Sequence, residues 1–509
     1  MMVGVMLAAT TTASAGGILT NTNQSVDFLR NPARDAAIGL DGVYSNPAGV
    51  AFLPEGFHFA FNWQYAHQTR TIESTSPFFA LGKKNNGQMT KTFEGEADAP
   101  CIPSLQAAYN TGNWSWQFNF SVPGGGGKCE FADGLGSFES VVGNIANQLK
   151  PLGAEGYDMD GYMQGRQYYF GFQVGTAYKV MENLSVYGGL RMLWGTATYR
   201  ARISNIQVRQ ANNSYVDFGS FLSQATATID GGLSQVSDGL SQVAAGMAKL
   251  EADGATAKPQ YAELYAELQA KNTELTATKA SLENTRSSLD ALQKYSQGVN
   301  LLCNQSSVGF APVIGADYKV GRFNFALKYE VKTQIRMKNE STVFEASEIA
   351  AVNKFRDSEE VNEDMPAQLA IGAQWSPVDD IRLNVGWHHF FDKKAEWYNN
   401  TQELLDHDTN EYLAGAEWDI NDRFTISGGL QVTRYGLSDQ YMNDMSFVVN
   451  SISLGFGANY KASDKVTLKA GYFQTNYDHY KRENYPAEGF SDDFTRTNRV
   501  LGIGCELNL

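Results

Sequence analysis

From residue 57 the chain alternates greasy and polar positions in runs of about ten, the length that crosses a bilayer as a tilted strand. Phe57, Phe59, Phe61, Trp63 and Tyr65 alternate with His58, Ala60, Asn62, Gln64 and Ala66. This is the period of two of a strand whose faces meet different surroundings. Trp114, Trp116, Phe118 and Phe120 repeat it against Ser115, Gln117 and Asn119, and Phe323, Phe325, Leu327 and Tyr329 against Asn324, Ala326 and Lys328. Ile381 to Trp387, Phe424 to Val432 and Val466 to Tyr472 follow the same rule, and a last run, Leu501, Ile503, Cys505, Leu507 and Leu509, carries it to the C-terminus. Short polar turns at Thr111-Gly112, Met181-Glu182-Asn183, Gly321-Arg322, Val378-Asp379-Asp380, Asn421-Asp422 and Ser463-Asp464 predict six hairpins. With one opening and one closing strand, the count is fourteen.

Much longer segments separate one hairpin from the next, so turns are short on one side and loops long on the other. A soluble sandwich buries the same alternation between two sheets and has no reason for that asymmetry. The pattern therefore predicts an all-β transmembrane barrel of 14 antiparallel strands over 56–509, with both ends on the short-turn side. Hydrophobic residues make up 43% of the chain, yet mean hydropathy is −0.34, because apolar positions are interspersed rather than blocked together. No stretch approaches the roughly 18 to 20 apolar residues of a membrane-spanning helix. Aromatics at 12% and 49 glycines fit strands and turns. A net charge of −15 with no basic patch argues against nucleic-acid binding.

Residues 1–15 are small and apolar, and Ala13-Ser14-Ala15 has the small-x-small form of a signal-peptidase site, so cleavage before Gly16 is expected. No Lys or Arg precedes Arg30, so the start of the signal is expected to lie upstream. Cys101, Cys129, Cys303 and Cys505 show neither zinc nor redox spacing; a Cys101–Cys129 bridge and buried free thiols remain alternatives. The six histidines form no HExxH pair, no GxSxG occurs, and adjacent His388 and His389 face opposite sides of a strand. Asp158, Asp160 and Gly161 open like a calcium loop that lacks its remaining ligands. No enzyme activity, cofactor or metal is indicated.

Residues 16–55 precede the first strand and carry Asn46-Pro47-Ala48 just before it. That tripeptide, a later Gly315-Ala316-Asp317-Tyr318-Lys319 strand end, Met365-Pro366-Ala367 opening a strand and the strand count together resemble the FadL-type outer-membrane transporters of long-chain fatty acids and other hydrophobic compounds. The resemblance implies that 16–55 is a hatch folded inside the barrel, with Asn46, Pro47 and Ala48 in its gating part. Physics agrees, since barrels of roughly 16 to 18 strands hold a water channel and one of fourteen needs a plug. Ser121 to Gln167 opens with Val122-Pro123 and Gly124, Gly125, Gly126 and Gly127, which weaken pairing. In the family a kink in the third strand opens the wall sideways, making Pro123 to Gly127 candidates for a lateral opening. A flexible loop entry is the bland alternative. Phe138, Val141, Val142, Ile145 and Leu149 recur at helical spacing and are candidates for hydrophobic capture, or for simple packing on neighbouring loops.

Gln210 to Asn300, between strands five and six, departs from the family. Leu233, Val236, Leu240, Val243, Met247 and Leu250 step by three and four, with Gly232, Gly239 and Gly246 seven apart, and Leu264, Leu268, Leu275, Leu282, Leu289 and Leu292 follow after a break at 254–259. An antiparallel extracellular helical hairpin is expected, with glycines permitting close approach. Strand parity turns Arg191, Lys328 and Arg382 inward, where each is a candidate for holding a fatty-acid carboxylate or for pairing with lumenal acids.

The expected function is passive uptake of a fatty acid-like hydrophobic molecule across the outer membrane of a Gram-negative bacterium, by loop capture, hatch rearrangement and lateral release. A general polar porin and a surface adhesion or structural barrel are the alternatives. The protein is expected to be a monomer in contact with outer-membrane lipid and lipopolysaccharide, its hairpin open to an unknown extracellular partner.

Overall fold

The computed structural model describes residues 23–252, 254, 258–344 and 350–509; the proposed signal segment 1–15 lies outside them, as do residues 16–22 of the hatch. Fourteen antiparallel strands close into a barrel. They are β1 (Gly56–Thr75), β2 (Thr90–Thr111), β3 (Trp114–Phe131), β4 (Ala154–Met181), β5 (Leu184–Gln210), β6 (Val299–Val320) and β7 (Phe323–Glu330). After these come β8 (Gln368–Val378), β9 (Ile381–Phe390), β10 (Thr409–Asn421), β11 (Phe424–Arg434), β12 (Ser451–Ser463), β13 (Val466–Tyr477) and β14 (Ser491–Asn508). β1 pairs with both β2 and β14, so the sheet closes on itself, and a closed ladder is what lets a sheet cross lipid. All six hairpins turn at the predicted places. The two ends of the barrel meet on that side, where Phe57 N donates to Leu509 O at 3.0 Å and Leu509 N to Phe57 O at 2.8 Å.

The alternation has the expected sense. Phe57, Trp116, Phe310, Val385, Phe456 and Ile503 point outward and are 55–60% exposed. Such a continuous belt far exceeds the few hundred Å² of apolar patch a water-exposed surface tolerates, so it faces lipid. His58, Ser115, Gln117, Asn119 and Asn384 between them are buried inside.

The strands outrun the expectation. β4 has 28 residues and β5 has 27, against about ten needed to cross. The wall therefore rises beyond the belt on the long-loop side. There the outward residues, such as Thr69, Thr71 and Glu73, are as polar as inward ones, and the alternation loses its contrast. For this reason only the middle of Ser121 to Gln167 leaves the wall: β3 runs on to Phe131 and β4 begins at Ala154, with the expected helix between them. Asp158 and Asp160 lie in β4 and are engaged by Lys83 at 2.8 Å and Lys84 at 2.7 Å. The raised wall is filled by a cluster that includes Phe79, Phe93, Phe131, Phe355, Trp397 and Phe494. Cys101 and Cys129 are both free thiols, so the bridge left open by the sequence is not formed.

The hairpin between β5 and β6 consists of two 35-residue helices, each about 52 Å long at 1.5 Å per residue. Phe218, Phe221, Leu222, Leu289 and Leu292 seat its base against Val208 of β5 and against Leu149 of the segment between β3 and β4. Further out, leucines of the second helix enter the gaps left by glycines of the first. A β-carbon on Gly232, Gly239 or Gly246 would stand 3.5, 3.3 or 3.4 Å from Leu282, Leu275 or Leu268. Gly239→Leu is expected to part the helices, at an overpacking cost of about 1–3 kcal/mol. Spin-label distances across the hairpin should lengthen while barrel unfolding stays unchanged; an unaltered distance would contradict this packing.

Candidate functional site

The segment 23–55 sits inside the barrel and contains two short helices, α1 (Val26–Arg30) and α2 (Gly42–Ser45). Ser25 caps α1, its Oγ accepting from Phe28 N at 3.1 Å. Asn46, Pro47 and Ala48 are each tied to a different strand. Asn46 Nδ2 donates to Asp317 Oδ2 of β6 at 2.6 Å, Gln117 of β3 donates to Pro47 O at 2.8 Å, and Ser185 of β5 to Ala48 O at 2.7 Å. Asn46 and Asp317, from two separate motifs that carried the family resemblance, are therefore direct partners.

The other half of the hatch repeats the device. Asn31-Pro32-Ala33 is a second copy of the tripeptide, visible in the sequence but not read there. It and the residues on either side of it lie against wall glycines whose missing side chains make the room. A β-carbon would stand 2.0 Å from Asn31 Oδ1 at Gly415, 2.3 Å from Leu29 O at Gly455 and 2.6 Å from Asp35 Cβ at Gly372.

Charge completes the seal. Glu417 of β10 receives Arg30 at 2.7 Å and Arg34 at 3.0 Å, and Arg34 also meets Asp41 at 2.8 Å. Lys469 bridges Asp27 and Glu506, both at 2.6 Å. His388 stands between Asp35 of the hatch and Glu411 of β10, at 2.8 Å from each. Removing one member of such a buried pair strands the other, at about 3–5 kcal/mol.

The three candidate cations belong to this structural network. Arg191 pairs with Glu330 at 2.5 Å, Lys328 with Glu330 at 2.8 Å, and Arg382 with Asp419 at 2.6 Å and Glu417 at 3.2 Å. Arg191 and Lys328 also lie over the Tyr44 ring of α2, at 4.9 and 4.6 Å. All three lie on the inward parity, but their charges are already matched by acids; Arg191 and Lys328 bear on the hatch at Tyr44, whereas Arg382 pairs with wall carboxylates alone. Phe138, Val141, Val142, Ile145 and Leu149 fall on or just after a helix, α3 (Gly136–Gln148). Val142 is buried against Tyr157 and Met159 of β4 and Ile203 of β5, Leu149 against Val208 of β5 and the base of the helical hairpin, and Phe138 and Ile145 pack beside them; none of the five borders the cavity described next.

Pro123 to Gly127 do border a break in the wall. β2 and β3 pair from Thr111↔Trp114 to Leu105↔Phe120 and resume only at Glu96↔Glu130. Between these points β3 bulges against β4, with Gly125 and Gly127 at φ +99° and +74°, a conformation that glycine adopts freely. The opposite lip, in β2, carries Pro100 and Pro103, which have no N–H to donate across the gap. The sequence reading missed them; two prolines three apart inside a wall strand were the available signal. Pro103 pairs with Trp63 on β1, which sets the gap at the outer rim of the aromatic belt.

Inside the gap is a cavity of about 120 Å³ bounded by Ala99 and Ile102 of one lip, Val122 and Gly125 to Gly127 of the other, and Phe28 of the hatch. Gln24, also missed, couples hatch to lip: its amide donates to Val122 O at 3.2 Å and accepts from Val122 N at 2.9 Å. The hatch is thus hydrogen-bonded directly to β3 at the edge of its bulge.

The sequence matches no protein-family model and no curated protein. Solved structures share the fold. A Pseudomonas aeruginosa FadL homologue superposes with a TM-score of 0.55 at 11% identity, covering 97% of this chain and 100% of its own. The Pseudomonas putida toluene transporter TodX gives 0.53 at 11% identity over 92% and 94%. A TodX mutant described as a monoaromatic hydrocarbon channel gives 0.55 at 11% over 95% and 99%. The chain thus has the fold of the FadL-type outer-membrane transporters.

Proposed function

We propose that this protein lies in the outer membrane of a Gram-negative bacterium and takes up hydrophobic small molecules passively, without chemistry on the substrate. The ligand enters the cavity above the hatch, the hatch shifts, and the ligand leaves sideways between β2 and β3 into the membrane. The supporting observation is the placement of one cavity between the two unpaired lips, with Gln24 of the hatch bonded to one of them. Long-chain fatty acids and single-ring hydrocarbons, the latter named for the superposed channels, both fall within this class. A polar porin fits less well, because the lumen is crossed by the hatch and its ion pairs.

Cells producing the protein should accumulate a labelled hydrophobic compound faster than cells without it, while accumulation of a small sugar stays unchanged. Faster sugar entry with no gain for the hydrophobic compound would overturn the proposal in favour of a porin.

A further inference from the structure

The buried cations of the lumen are matched with care. Arg30, Arg34, Arg191, Lys328 and Lys469 each have a carboxylate within 2.5–2.8 Å. Arg70 and Arg496 break the pattern. They are direct cross-strand partners on β1 and β14, a placement in which like charges destabilise a sheet. Neither has a carboxylate partner among the described residues, and the Nε of each is buried with no acceptor. Arg496 is 3% exposed; its other nitrogens donate to Phe447 O and Gln68 Oε1, both at 3.2 Å, and it lies over the Tyr477 ring at 5.2 Å. Arg70 reaches the β3 bulge, where a β-carbon on Gly126 would stand 2.8 Å from its Nη2. Arg496, Gln68, Tyr477 and Gly126 border the cavity, and Arg70 stands behind that lining, its Nη2 beside Gly126. Glu411 borders it too, but His388, Gln431 and Thr433 already engage that carboxylate.

Both arginines stand beyond the lipid-facing belt, where β1 turns from Tyr65 outward to Thr69 and Thr71. Burial and the facing charge of Arg496 both disfavour the charged Arg70 guanidinium. Two facing guanidiniums with unused donors cost stability, and a bound anion would recover it through charge-assisted hydrogen bonds.

We propose that Arg70 and Arg496 form a carboxylate-binding subsite, and that the cavity takes a compact amphiphilic acid about the size of one aromatic ring, its ring against Phe28, Phe473 and Val500. This rests on the uptake function proposed above and narrows its ligand. Size favours a single ring over a long acyl chain: 120 Å³ is close to the roughly 150 Å³ of a cavity that holds benzene and short of the about 300 Å³ or more of sites for larger ligands. The polar lining, including Gln68, Gln431, Thr475 and Asn498, suits a ligand with a polar end better than a plain hydrocarbon.

The test is calorimetric titration of the purified full-length protein with phenylacetate, benzyl alcohol, toluene and palmitate, paired with uptake of the same compounds by cells. Phenylacetate should bind about tenfold or more tighter than benzyl alcohol or toluene, the worth of one charged hydrogen bond. Arg70→Gln/Arg496→Gln should erase that preference. The double variant should also unfold at a higher temperature than the unliganded parent, because the mutual repulsion is gone, and phenylacetate should then stabilise only the parent. Equal binding of acid and alcohol, an intact preference in the double variant, or palmitate displacing phenylacetate would each overturn the subsite. If toluene enters cells through the protein but the acid has no advantage, the subsite fails and the uptake function stands. If phenylacetate binds with the stated preference but none of the four compounds enters faster, the uptake function fails instead.

Discussion

Gly455→Leu combined with Gly372→Leu is expected to turn a closed barrel into an open pore. Planar bilayers holding the parent should show little ionic conductance, and the double variant a stable, stepwise one. The reason is geometric. A β-carbon at Gly455 would stand 2.3 Å from the backbone oxygen of Leu29, and one at Gly372 stands 2.8 Å from the backbone nitrogen of Ala36. Neither contact can be relieved by turning a side chain, so the hatch has to withdraw as a body from both halves of its seat. Withdrawal breaks the pairs of Arg30 and Arg34 with Glu417, but water entering the lumen solvates those charges, and the buried-charge penalty of about 3–5 kcal/mol then no longer holds the hatch in place. Gly188→Leu is the control, because nothing lies within 4 Å of its added carbon; it should remain closed. Glu417→Gln should open the pore by the opposite route, loosening the anchor rather than blocking the seat. Conductance of the double variant no greater than the parent's, with the barrel shown folded by its heat-dependent gel mobility, would refute this account of the seal.

How much of this was legible in the chain depends on where a polar contrast existed. Phe57 to Tyr65 and Leu501 to Leu509 declare two faces because lipid lies on one side and water on the other, and the six turns between such runs set the strand count. The raised wall was not legible, since Thr69, Thr71 and Glu73 face water while Gln68, Arg70 and Ser74 are among their inward neighbours, so polar residues stand on both faces and only Ile72 marks the buried cluster inside. Inward parity of Arg191, Lys328 and Arg382 followed from their greasy neighbours. Their partners did not, because Glu330, Asp419 and Glu417 are brought to them by closure and register. Arg70 and Arg496 show the limit most clearly: they come from opposite ends of the chain and meet only because β14 closes on β1. Asn31-Pro32-Ala33, Pro100 and Pro103 were within reach, since each is a local signal with a backbone consequence.

A removable staple across the gap is expected to stop uptake while leaving binding intact. A β-carbon on Gly127 would stand 3.8 Å from the β-carbon of Ala99 on the facing lip, matching the mean separation of about 3.8 Å across a disulfide. Ala99→Cys/Gly127→Cys, in a background with the native cysteines replaced, should therefore oxidise readily. The φ of +74° at Gly127 costs a cysteine about 1–3 kcal/mol, which the covalent bond can hold against. Lateral release requires the lips to part, so oxidised cells should accumulate the hydrophobic compound no faster than cells without the protein, and a membrane-permeant reductant should restore the rate. Because both residues border the cavity, the oxidised protein must also be titrated in detergent. Unchanged affinity with lost uptake assigns the block to the exit, lost affinity assigns it to the cavity, and undiminished uptake by the fully oxidised protein would show that the ligand leaves through the lumen past the hatch rather than between β2 and β3.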